Sequence, residues 1–279
     1  MENNSVILKL VRGEAIMVVI NAGLVKKIVN DKPLLRKAYE ALISDPEVQA
    51  LWDMSNIMAV KRLKYNDHGP VHAQIAAGAS LYLYQLLLNA GVGSTLIRDK
   101  VVDDPEQAWI VPLYGALLHD IGNSIHRDLH EKLGALLAKP IIDRALEKII
   151  DDQRTRIMLR QEIMHSIFCT AYDAVCLTVE AGCVGVGDGL DMAEGRARVP
   201  YRLGGISIHS VSALSIKKVE VVPGEKVPIK ILVHMSERAG IFQVDEVLMP
   251  KIKTTPLKDY VEVYAIVNGE PLKTYTPRK

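Results

Sequence analysis

The amino-acid sequence predicts a mainly α fold, a helical bundle with a small C-terminal α/β module, and three observations carry that expectation. From about Leu34 to Leu190 apolar residues recur at helical spacing. Aspartate followed by proline marks several starts within that stretch. After Gly204 and Gly205 the texture changes to alternation of β-branched residues. The chain therefore divides into a helical body over 1–204 and an accessory module over 205–279.

The helices follow in order. Asp31 precedes Pro33 and LLRKAYEALIS, Asp45 precedes Pro46 and EVQALWDMSNIMAVKRL, and Asp104 with Pro105 precedes QAWIVPLYGALLHD. Each pairs a capping carboxylate with a proline near the first turn. Further helices are expected from His68 to Leu88, Ile125 to Leu137, Arg154 to Phe168 and Tyr172 to Val184. Beyond the glycine pair, ISIHSVSAL, IKKVEVV and PIKILVHM read as strands, with a turn at Pro223 and Gly224. Ser236 and Glu237 open the helix ERAGIFQVDEVLMPKI, which Pro250 should end or kink, and DYVEVYAIV returns as a strand. This order fits half of a ferredoxin-like fold or a dimerisation sheet. Apolar strand edges would pair between subunits, so a homodimer is expected.

Composition narrows the function. Lys and Arg number 34 against 33 Asp and Glu, so no overall field favours a nucleic-acid coat or a membrane surface. Nucleic-acid binding has no support in the sequence, and any anionic ligand must meet a local cluster. Cys169, Cys176 and Cys183 recur at intervals of seven and lack C-x-x-C spacing. They read as small apolar side chains on a buried helical face, and the absence of a disulfide framework favours a cytoplasmic setting. The apolar run Ile16 to Val25 is too short to span a bilayer. It also lacks the basic start of a secretory signal. No phosphate-cradling glycine motif occurs, so the chemistry must lie in side chains.

The strongest local signal is LLHDIGN, Leu117 to Asn123, at the end of an apolar helix. Neighbouring helical residues point about 100° apart, so His119 and Asp120 can share one ion only where the helix ends and the backbone turns. Gly122 permits that turn. An imidazole beside a carboxylate suits a hard or borderline divalent metal.

An early His68, the pair His119 and Asp120, and Asp188 in VGVGDGLDM together resemble the H…HD…D signature of the HD superfamily. The likeness runs from about His68 to Arg198. It implies an HD-domain helical bundle in which these residues bind one or two divalent ions, Mn, Mg, Fe, Ni or Co. The run DGLDMAEGRAR is similar to A-D-A-L-S-A-A-R-P-G-A-R of the ribonuclease Y branch. His130 in HRDLHEKLGA and His165 in EIMHSIF resemble further histidines of the HD-GYP and ribonuclease Y groups, and they would complete a two-metal site bridged by Asp120. The G-Y-P tripeptide is absent, as are the membrane anchor and KH-type G-x-x-G loop of ribonuclease Y.

The resemblance implies hydrolysis of a phosphomonoester or phosphodiester, on a small nucleotide-like substrate, by a metal-activated water. Asp120 and Asp191 are the expected catalytic carboxylates, Asp191 as a proton acceptor or as a clamp on Arg196 or Arg198. Lys61, Arg62, Arg127, Arg196 and Arg198 are candidate substrate-binding cations, with Lys64 and Arg202 nearby. His72 and His126 each lie four residues from a proposed ligand; each reads as an outer-shell group or as a partly exposed residue at a helix start. Asp67, Asp128 and Glu131 are close enough in sequence to orient a ligating imidazole. His209 and His234 read as structural. Two alternatives remain at this stage: a di-iron oxygenase on the same fold, and a nucleotide-binding regulatory protein without turnover.

Overall fold

Proline and aspartate do start helices in this chain, as the computed structural model, which describes residues 17–193, 195–196 and 212–277, makes plain. Helix α1 covers Leu24–Asn30, α2 Pro33–Ile43 and α3 Pro46–Asn56. Asp45 caps α3 by accepting from the backbone N–H groups of Glu47 and Val48. Asp31 does not cap α2: it terminates α1, and Lys32 holds the N-cap position. The Leu34 amide instead donates to Glu106 Oε1 at 2.9 Å, a partner from 72 residues away.

Helix α3 runs on into a stretch of wide π turns, Ile57–Arg62, and α4 covers Pro70–Asn89. Asp104 caps only a single turn, Pro105–Ala108, before α5 spans Ile110–Leu118. Helices α6 (His130–Leu146), α7 (Gln153–Phe168) and α8 (Val179–Gly189) complete the body. Two starts differ from expectation. Helix α6 begins at His130 rather than Ile125, after Leu129 in a left-handed conformation. Helix α8 begins at Val179, where Thr178 accepts from the Ala181 amide, and not at Tyr172.

Helix α4 is buried on nearly every side and forms the axis of the bundle, as an all-round apolar helix must. It meets α8 closely: a Cβ on Gly187 would stand 2.8 Å from the Ser80 amide nitrogen. All three cysteines are buried, but only Cys183 lies within a helix, so they do not share one helical face. Among the described residues no helix is long and apolar enough to cross a membrane.

The C-terminal strands are β2 (Ile216–Pro223), β3 (Ile229–Met235), β4 (Val261–Val267) and β5 (Glu270–Tyr275). The strand expected over ISIHSVSAL lies largely outside the described residues, and 212–214 are helical. A two-residue strand from near the N-terminus, β1 (Val18–Val19), joins the same sheet by pairing with Val221 and Glu220. The order is β1-β2-β3-β4-β5, antiparallel except for β3 and β4. A parallel pair needs a crossover, and a helical run over 241–253, α9, provides it. Pro250 does not end α9: the wide turns of Val244–Leu248 precede it and the helix continues to Lys253. Strand β5 is exposed along most of its length and carries Pro271 and Lys273, residues that blunt edge pairing, so this edge is not the apolar one expected. One contiguous core contains Leu117 of the bundle and Ile231 of the sheet alike.

Asp45 ties the bundle together beyond its cap. Its carboxylate accepts from Arg144 Nε at 2.6 Å and Nη2 at 2.9 Å, joining α3 to α6. Asp45→Ala is therefore expected to cost about 2 kcal/mol in urea denaturation at pH 7, most of it from the lost cap, since Arg144 is partly exposed. The Arg144 guanidinium holds the Asp45 carboxyl below the usual carboxylate range. That contribution is present above the unfolded pKa of about 3.9 and is lost as pH falls through the lowered native value. The gap between wild type and variant should thus narrow toward pH 3.

Candidate metal centre

His119 closes α5 and Asp120 opens a 3-10 turn, Ile121–Ser124, so the helix ends where convergence requires it to end. The reason for Gly122 is not the one the sequence offered. Its φ is not left-handed. Helix α6 instead lies directly against it: a Cβ there would overlap the His130 carbonyl oxygen and stand 2.6 Å from the Gly134 nitrogen. The missing side chain lets α6 close in and brings His130 Nε2 to 3.4 Å from Asp120 Oδ1.

The imidazole that meets His119 is that of His72, which lies in the first turn of α4, whereas His68 stands before that helix. His72 Nε2 lies 3.1 Å from His119 Nε2, 3.1 Å from Asp188 Oδ1 and 3.3 Å from Asp120 Oδ2. His119 Nε2 is 3.4 Å from each of the same two carboxylate oxygens. His72, His119 and Asp188 form a buried group whose donor atoms all lie within 4.8 Å of one another. Ligand bonds of about 2.0–2.2 Å place neighbouring donors roughly 2.8–3.6 Å apart across octahedral and tetrahedral geometry, a range that holds all five separations. Among the described residues Asp120 Oδ2 is buried without a hydrogen-bond partner, which suits a ligand oxygen.

Each donor is fixed from behind. Asp191 Oδ2 holds His72 Nδ1 at 2.7 Å, and the Ala116 carbonyl holds His119 Nδ1 at 2.8 Å, leaving both Nε2 atoms for the common point. Asn123 Nδ2 donates to Asp120 Oδ1 at 2.9 Å. Lys251 Nζ, carried in by α9, pairs with Asp188 Oδ2 at 2.7 Å and also donates to the Thr170 carbonyl.

The electrostatics suit a cation. Burial and Arg196 pull the His72 imidazole toward neutrality, yet Asp120, Asp188 and Asp191 overcome both and raise it to about 10. Burial opposes charge on His119 too, and Asp120 and Asp188 still raise it to about 9. Burial pushes Asp120 and Asp188 upward, but His119 and His68 hold Asp120 well below the usual carboxylate range, and Lys251 with His119 does the same for Asp188. The raised proton affinity of both imidazoles reports the pull of the surrounding carboxylates on positive charge.

The other expected residues divide. His68 Nδ1 meets the Asn66 carbonyl at 2.6 Å, and its Nε2 faces Arg127 Nη1 at 3.2 Å. His130 stands beside Asp120 and Arg127, its Nδ1 3.1 Å from Glu131 Oε2. His165 is not brought to the centre: it lies 3.4 Å from Cys169 Sγ and accepts from the Leu177 amide. His126 is exposed and accepts from the Asp128 amide. Asp191 is buried behind His72 and stays out of the cavity wall, 4.0 Å from Arg196 Nε. Arg196 donates to the backbone carbonyls of Asp67 and Asp191 and sets Nη2 3.1 Å from His72 Nε2. Lys61 and Arg62 are exposed and also stay out of the wall, whereas Lys64 joins it. Arg198 and Arg202 lie outside the described residues, as does His209. His234 pairs with Glu220 in the sheet.

His119, Asp120 and Asp188, with His72 buried behind them, open on a cavity of about 580 Å³ whose wall includes Lys64, Tyr65, Arg127, Tyr172, Arg196 and Lys251. Sequence reasoning reads His72 as an outer-shell group or as a partly exposed residue at a helix start, although its four-residue spacing from His68 is visible. Nothing in the sequence marked Lys251.

This chain is 42% identical over 232 residues to a protein of Methanocaldococcus jannaschii described as uncharacterized protein MJ1020, and the match covers 83% of this chain and 89% of the relative. No protein-family model matches the chain, and no solved structure matches it.

Proposed function

Because the chain belongs to the family of MJ1020, whose name assigns no chemistry, we propose its function from the site itself: metal-dependent hydrolysis of a small, nucleotide-like phosphoester, by a protein of HD-superfamily type. The carrying observation is the buried convergence of His72, His119 and Asp188, with Asp120 Oδ2 beside them lacking a hydrogen-bond partner among the described residues. An H…HD…D pattern runs through His72, His119, Asp120 and Asp188, with His72 in the place first given to His68. These four would hold the ion, and a bound divalent ion supplies Lewis-acid polarisation and a lowered pKa for water.

The chain's own residues do the rest. Asp191 fixes the tautomer and direction of His72, and Lys251 fixes Asp188. Asp120 lines the cavity, its Oδ2 turned to the two imidazoles and its Oδ1 held by Asn123. Arg127, Arg196 and Lys251 give the wall three cations for phosphate oxygens. Tyr65, half exposed in the wall, is available to pack against a planar group, and Tyr172 in the same wall carries Lys251 Nζ over its ring at 4.7 Å. The cavity's size falls within the usual range for small-molecule sites, about 300–1,000 Å³.

The test is a panel of phosphomonoesters and phosphodiesters with metal-loaded protein, alongside Asp120→Ala. Release of phosphate or a nucleoside monophosphate is expected, falling roughly 10²–10⁴-fold in the variant. Equal turnover by the variant would overturn the reading, and so would tight nucleotide retention with no product.

A further inference from the structure

Beside the first donor set lies a second one, and a side chain already occupies its focus. Arg127 Nη1 is 3.2 Å from His68 Nε2, 3.1 Å from His130 Nε2 and 3.2 Å from Asn123 Oδ1. These groups come from the segment before α4, from the start of α6 and from the 3-10 turn. An Nη nitrogen carries two hydrogens, so three acceptors are more than it can satisfy separately. The arrangement is that of ligands around a cation. Asp120 completes it: its Oδ1 is 3.4 Å from His130 Nε2, while its Oδ2 belongs to the first set.

We propose that the centre binds a single metal ion and that the Arg127 guanidinium permanently takes the place of a second. The inference rests on the metal reading of the first set and departs from the two-ion site implied by His68 and His130 as ligands. A guanidinium cannot leave by losing a proton, so a second ion must displace it bodily. Charge argues the same way. The carboxylates of Asp120, Asp188, Asp191 and Glu131 stand near three fixed cations, Arg127, Arg196 and Lys251. One divalent ion leaves this group modestly positive, suited to an anionic substrate. A second, with Arg127 retained, would crowd uncompensated positive charge into a buried space. A phosphoryl group would then meet one ion and one fork of N–H donors.

The experiment is equilibrium loading with Mn²⁺ followed by elemental analysis. The unaltered chain should retain about one ion, Arg127→Met about two, and the double variant Arg127→Met/His130→Ala about one again. Electron paramagnetic resonance of the loaded unaltered chain needs no variant to fold and should give the signal of isolated Mn²⁺. Two ions in the unaltered chain, or an exchange-coupled pair in its spectrum, would overturn the proposal. One ion in both the unaltered chain and Arg127→Met would overturn it too. No uptake at all would instead sink the metal reading of the first set.

Discussion

His72→Ala is expected to abolish metal retention, whereas His68→Ala leaves the ion bound. The contrast follows from what each imidazole faces. His72 Nε2 sits 3.1–3.3 Å from His119, Asp188 and Asp120, while His68 Nε2 faces a guanidinium. Loss of an outer-shell partner typically costs 10–100-fold in affinity. Asp191→Ala, which frees His72 Nδ1, should fall in that range, and His72→Ala should exceed it. The same geometry sets a pH dependence. In the metal-free centre Asp120, Asp188 and Asp191 raise His72 to about 10, and Asp120 with Asp188 raises His119 to about 9, in both cases against burial. At pH 7 these imidazoles carry protons that the ion must displace, so uptake releases protons and affinity climbs with pH until about 9 to 10. Isothermal titration in buffers of different ionisation enthalpy measures that release. Equal Mn²⁺ affinity in His72→Ala and wild type, or uptake without proton release at pH 7, would contradict this account.

Gly122→Ala is the substitution expected to damage folding most. A Cβ at 122 meets backbone on the far side, the His130 carbonyl and the Gly134 amide, and neither is a flexible side-chain end that can step aside. Helix α6 would have to back away from the 3-10 turn, opening the packing of Ile121, which is fully buried. A cost of about 4 kcal/mol is reasonable for such an overlap and would lower Tm by roughly 10 °C. Gly195→Ala is the control: among the described residues nothing lies within 4 Å of its Cβ position, and it should change stability by no more than about 0.5 kcal/mol. If Gly122→Ala melted with wild type, the close approach of α6 would not be what positions His130. Calorimetry on the metal-free proteins separates this effect from loss of the ion.

Much of the fold was legible because it is written in local terms. Helical spacing, the cap at Asp45, the turn at Pro223 and Gly224 and the alternation in β2 to β4 are properties of neighbours in sequence, and each appears where its residues stand. The pair His119 and Asp120 was legible for the same reason. A helix end turns adjacent side chains to one side wherever the rest of the chain lies.

Where non-local packing decides, the sequence was silent or misleading. Two histidines four residues apart, His68 and His72, are equivalent as letters, but the helix starts only at Pro70, so His72 rides on α4 and reaches His119 while His68 stays in the segment before it and faces Arg127. Likewise Asp31 had the spacing of a cap, yet the Leu34 amide found Glu106 instead. The partners of Val18 lie some 200 residues away in β2, and Lys251 reaches Asp188 only because α9 crosses back over the bundle. By itself, then, the sequence determined which segments become helices or strands and which residue types could ligate a cation. The tertiary structure alone decided which of them share a point in space, because side-chain direction depends on how whole elements rotate and pack, and no local pattern encodes that rotation.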